Sequence, residues 1–163
     1  MVTKQQAIDL IAQQGILPLY FNADETVSVE VLRAIYRAGI KAVEYTNRGE
    51  AALSNFKKLV DVRNKEMQGM VLGVGTVKNL KDAESYLNAG ADFLVSPGYV
   101  AEVATYANNK DVFYGQGVTT VSATYASEIG KLKSITSLIG SFYKVNPNSN
   151  FRNLYGVDRK SVV

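Results

Sequence analysis

The 163-residue sequence contains no cysteine and no histidine. The first absence excludes disulfides, thiolate catalysis and zinc-thiolate sites, and the second excludes a Ser-His triad and imidazole metal ligation. No apolar run reaches membrane-spanning length and no basic-then-apolar segment opens the chain, so a cytoplasmic location is the expectation. Charge of one sign is not concentrated either. Lysine and arginine number 18 against 15 acidic residues, a net charge of +3 scattered singly along the chain, which reads as a solvated surface and not as a nucleic-acid or membrane footprint. With 47% hydrophobic residues and no low-complexity tract, the chain can bury one core, and a single domain over 1–163 is expected. The chemistry left open belongs to Lys, Glu, Asp, Tyr, Ser and Thr.

What is present is an alternation of helical and strand patterns. Residues 4–14 carry Ala7, Ile8 and Ile11 at helical spacing, with Gly15 as a C-terminal stop. Residues 16–21 are apolar on both faces, as a fully buried parallel strand should be, although Pro18 removes one ladder donor. Asn22 and Asp24 are capping candidates for a helix whose apolar stripe is Val27, Val31, Leu32 and Ile35, ending at Ala38-Gly39. A strand within 41–48 that ends before Arg48, a helix from Glu50 to about Lys65 and a strand over 70–76 follow. Leu80, Ala83 and Leu87 mark the next helix, which ends at Ala89-Gly90, and Asp92 to Val95 with Ser96-Pro97-Gly98 make a strand and its exit. The joint Ala-Gly before two different strands points to repeated βα units. A short helix over 100–108, a strand over 112–114, a helix over 126–133 and a β-rich stretch over 135–145 complete the pattern.

The stretch Lys41-Ala42-Val43-Glu44-Tyr45-Thr46-Asn47-Arg48 organises the chain chemically. Glu44 is an ionisable group inside a buried strand, where burial would raise its pKa and suit it to proton transfer near neutral pH. Arg48, just past the strand end, offers a fixed cation for a carboxylate or phosphate. The bland alternative is a Glu44–Arg48 pair that simply satisfies itself.

Taken together, the strand exits resemble the 2-keto-3-deoxy-6-phosphogluconate (KDPG) / 4-hydroxy-2-oxoglutarate (KHG) aldolase family. The residues that carry the resemblance are 43–48, Gly73-Val74-Gly75-Thr76-Val77, the run from Ala89 to Gly98, and Gly117-Val118-Thr119-Thr120. The resemblance implies a class I aldolase on a small TIM barrel, assembled as a homotrimer, that cleaves a small-molecule 2-keto acid to pyruvate and an aldehyde with no metal or cofactor. It implies that Glu44 is the proton shuttle and that Arg48 and Thr76 hold the α-keto acid end. Pro97 and Thr119 would complete the substrate site, and Lys144, in Tyr143-Lys144-Val145-Asn146-Pro147, would be the Schiff-base lysine.

The family pattern weakens from residue 123, and only about six strands are readable where an eight-unit barrel needs roughly 200 residues. No glycine-rich pair follows Ser149, so a preference for unphosphorylated 2-keto acids is expected. Two other readings stand beside the enzyme: a family member or engineered derivative with an altered C-terminal part that serves as a scaffold or assembly subunit, and an open, doubly wound α/β sheet holding a small anion at Gly73 to Thr76.

Overall fold

A computed structural model of the protein describes residues 2–117, in which five helices alternate with five parallel strands. Helix α1 spans Lys4–Gln14 and begins with a reciprocal cap: the Gln6 N–H donates to Thr3 Oγ1, and the Gln6 side chain accepts from the Thr3 N–H. Gly15 ends it in the left-handed region at φ 76°, where glycine carries no Cβ penalty. The later elements are β1 (Leu19–Tyr20), α2 (Glu25–Arg37), β2 (Ala42–Thr46), α3 (Ala52–Glu66) and β3 (Val71–Gly75). They are followed by α4 (Leu80–Asn88), β4 (Phe93–Ser96), α5 (Ala101–Asn109) and β5 (Phe113–Gln116). The helix expected over 126–133, the strand-like stretch over 135–145 and the loop around Pro147 lie outside the described residues.

The strands lie side by side in chain order, β1-β2-β3-β4-β5, every neighbouring pair parallel. A doubly wound sheet reverses its strand order at a switch point, and this one does not. Among the described residues the sheet is therefore singly wound, as in a βα barrel, and the doubly wound alternative fails.

Alternation along the strands separates two apolar clusters. Val43, Tyr45, Leu72, Val74 and Leu94 face outward and pack with Leu32, Phe56, Leu59 and Tyr86 of the helices. Val71, Phe93, Val95 and Phe113 face inward and pack with Ala7 and Ile8 of α1. Helix α1 thus closes the N-terminal end of the inner face. The Lys4 N–H donates to Asp111 O before β5, and Gln14 Oε1 accepts from the N–H groups of Lys41 and Ala42 at the start of β2.

Two local expectations are corrected. The strand expected over 16–21 is only Leu19–Tyr20, and Ile16 and Leu19 are 58% and 49% exposed. Pro18 has no N–H to donate, and pairing with β2 begins only at Leu19. In α2 the buried face is Ser28, Val29 and Leu32, and Val27 is exposed. The helix is rotated because the Ser28 hydroxyl turns inward to donate to Asn22 O and sits 3.3 Å from the Tyr45 hydroxyl. Asp24 is the cap, its carboxylate accepting from the Val27 N–H, whereas Asn22 Oδ1 accepts from the Asp24 N–H in the preceding turn.

Candidate active site

Glu44 sits in the middle of β2, on the inner face with Ala42 and Thr46, and is 3% exposed. Its row across the sheet is set by register, Leu19 on one side and Gly73 on the other. The side chain reaches over β3, where its carboxyl lies against the backbone of Gly75. Oε2 is buried with no hydrogen-bond partner among the described residues. Burial pushes this carboxyl up to about pH 7, with the positive charge of Arg48 pulling the other way. A group that is half protonated at neutral pH and has one oxygen uncommitted can give or take a proton without first breaking a bond.

Arg48 is exposed just beyond the end of β2, its N–H donating to Thr46 O at 2.9 Å. It makes no ion pair with Glu44. The ion pairs among the described residues join Arg33 to Glu30 and Glu66, and Arg63 to Asp92. The self-satisfied Glu44–Arg48 pair is therefore not formed, and the Glu44 carboxyl beside Gly75 and the Arg48 cation both lie toward the C-terminal edge of the sheet.

Thr76 follows β3 with φ 65°. A β-branched residue in the left-handed region is strained, at a cost of about 1–3 kcal/mol, and such strain gathers where function fixes the backbone. The strand exits around it are laced together. The Asn47 N–H donates to Gly75 O, the Val77 N–H to Val95 O and the Gly117 N–H to Ser96 O, and the Ser96 hydroxyl donates to Val77 O at 2.6 Å. Pro97 lies exposed in the β4 exit, and its carbonyl oxygen stands 2.3 Å from where a Cβ on Gly117 would fall, so only glycine lets the β4 and β5 exits approach this closely. Glu44, Arg48, Thr76 and Pro97 thus lie in β2 or at the exits of β2, β3 and β4. Thr119 and Lys144 lie outside the described residues.

Sequence reasoning missed three supporting features. Asn47 Oδ1 accepts from the Tyr86 hydroxyl of α4 at 2.9 Å, which ties the β2 exit to the neighbouring unit. The Tyr45 hydroxyl donates to Asn22 O, and the Asn55 amide donates to Asn22 O and Ala23 O, anchoring the β1 exit from beneath. The third is the role of Gly75, a residue of the resemblance motif that leaves the space the Glu44 carboxyl occupies.

Among the described residues, a parallel, singly wound βα sheet carries a buried carboxyl without a hydrogen-bond partner and an exposed cation toward its C-terminal edge, the edge at which βα-barrel proteins build their sites. The chain matches the family model for KDPG and KHG aldolase over residues 8–146, and it belongs to that family. The 2-dehydro-3-deoxy-phosphogluconate aldolase of Pseudoalteromonas atlantica is 29% identical over 119 residues, covering 73% of this chain and 54% of that protein. Its counterpart in Zymomonas mobilis is 28% identical over 144 residues, covering 80% and 67%. The crystal structure of the 2-keto-3-deoxy-6-phospho-gluconate aldolase from Zymomonas mobilis ATCC 29191 superposes with a TM-score of 0.62 at 26% identity, covering 76% of this chain and 58% of that one. The chain thus spans about half to two-thirds of the length of the relatives it matches. Among the described residues no helix is long and apolar enough to cross a membrane.

Proposed function

We propose that the chain is a Schiff-base (class I) aldolase that cleaves a 2-keto-3-deoxy-6-phosphogluconate or 4-hydroxy-2-oxoglutarate type substrate to pyruvate and an aldehyde. The observation that carries this reading is the buried carboxyl of Glu44, with one oxygen unpartnered among the described residues and its pKa raised by burial to about 7, toward the C-terminal edge of a barrel-like sheet. The Lys144 amine attacks the C2 carbonyl of the keto acid, and loss of water leaves an imine. Glu44 in its carboxylate form takes the proton of the C4 hydroxyl, the C3–C4 bond breaks, and its electron pair moves into the imine to give an enamine and the free aldehyde. The protonated Glu44 then returns that proton to C3, and water releases pyruvate from Lys144. Arg48 and Thr76 hold the keto acid end, and Pro97 and Thr119 line the remainder of the site.

In the same reading the chain is one (βα)n domain over 1–163 that diverges from the family pattern after residue 123. It acts in the cytoplasm as a homotrimer. The deciding experiment is borohydride reduction in the presence of pyruvate, followed by peptide mass mapping. A covalent adduct on Lys144, absent from Lys144→Ala, is the expected result. If no lysine is modified, the aldolase reading fails and the scaffold or assembly-subunit reading replaces it.

A further inference from the structure

The inner face of β3 presents Val71, Gly73 and Gly75 in turn, and the last two have different neighbours. A Cβ placed on Gly73 would fall 2.1 Å from the Phe93 ring, which leans across from β4. A Cβ placed on Gly75 would fall 1.6 Å from Glu44 Oε1 and 2.4 Å from its Cδ, and the third-nearest atom is Glu44 Cγ. Each strand beside β3 therefore sends one large side chain into a space left by a glycine, an aromatic ring in the core and a carboxyl at the mouth.

Backbone freedom does not explain the glycine at 75. Gly75 is not among the residues with positive φ, and the left-handed position at this exit is taken by its neighbour Thr76. What residue 75 needs is the absence of a side chain. We propose that Gly75 is a positioning residue, a seat that fixes the Glu44 carboxyl in its buried place at the barrel mouth, so that any side chain at 75 displaces the carboxyl toward solvent.

This inference rests on the aldolase reading for its effect on turnover, but not for its effect on Glu44 itself. The test is a double-mutant cycle of wild type, Gly75→Ala, Glu44→Ala and the double variant. It is read by urea unfolding, by carbon-13 titration of the Glu44 carboxyl and by aldol cleavage. Gly75→Ala should bring the Glu44 titration midpoint down from about 7 toward the ordinary 4.5. It should lower kcat by about tenfold or more, part of the 10²–10⁴ that a placed acid-base group supplies, while borohydride trapping of pyruvate persists.

In the Glu44→Ala background the added methyl meets no carboxyl, and the stability loss caused by Gly75→Ala should disappear. If Gly75→Ala alone does not fold, the double variant should fold. An unchanged Glu44 midpoint, an equal stability loss in both backgrounds, or a double variant that fails to fold would each overturn the seat. Absence of any adduct in the wild type would instead overturn the aldolase reading, leaving the titration and the cycle to judge the seat.

Discussion

Replacing Glu44 by glutamine should make the protein inactive and, above neutral pH, more stable. The carboxyl titrates at about 7 in the fold against 4.5 for an ordinary glutamate, so the folded state binds its proton more tightly than the unfolded state does. The sign follows from linkage: this stability is fully present below pH 4.5 and is lost as pH rises through 7. A shift of that size corresponds to about 3 kcal/mol, a large part of the 5–15 kcal/mol that holds a typical domain together. With the residue 3% exposed, solvent screening does little to reduce the figure. The glutamine variant has no such titration, although its amide lacks a partner and adds a pH-independent cost of about 1–3 kcal/mol. The quantity to measure is therefore the change with pH. Urea unfolding of both proteins from pH 4.5 to 8.5 should show the variant gaining about 3 kcal/mol on the wild type across the range. Aldol cleavage should be lost at every pH, and pyruvate should still form its lysine adduct. Parallel stability curves would show that Glu44 titrates as a solvated carboxyl and would refute the reasoning from burial.

Three other substitutions separate strain, anchoring and structure. Thr76→Gly relieves about 1–3 kcal/mol of left-handed strain and returns about 0.4–1 kcal/mol to the unfolded chain, so Tm should rise by a few degrees while KM for the keto acid increases; a fall in Tm would deny the strain. Tyr86→Phe removes the hydroxyl that donates to Asn47, and calorimetry should find a loss of about 1 kcal/mol, with KM raised more than kcat is lowered because Asn47 directly precedes Arg48. Arg63→Ala strands the buried Asp92, which also accepts from the Leu72 N–H, and should destabilise by about 3–5 kcal/mol in urea. Because Asp92 precedes β4 at the end opposite the site, kcat/KM of the folded fraction should not change.

Helix α1 and the βα alternation could be read from local signals, because apolar spacing, capping residues and terminal glycines act within a few residues of each other. The resemblance at residues 43–48, 73–77 and 89–98 likewise identified the family, and the match over residues 8–146 supports it. Glu44 was conspicuous for the same local reason, a lone acid in a run of buried residues. What local pattern could not supply was direction. The rotation of α2 depends on Ser28 meeting Tyr45 and Asn22, residues brought to it by β1 and β2. The brevity of β1 depends on where pairing with β2 begins. The strand order that excludes a doubly wound sheet is a property of the assembled strands alone. Residues 41–48 alone set an ionisable group in a buried strand close to an arginine. That the two form no ion pair, that the carboxyl rests on Gly75 and that Thr76 is strained lie beyond any local pattern, because all three follow from how β2 and β3 pack against each other.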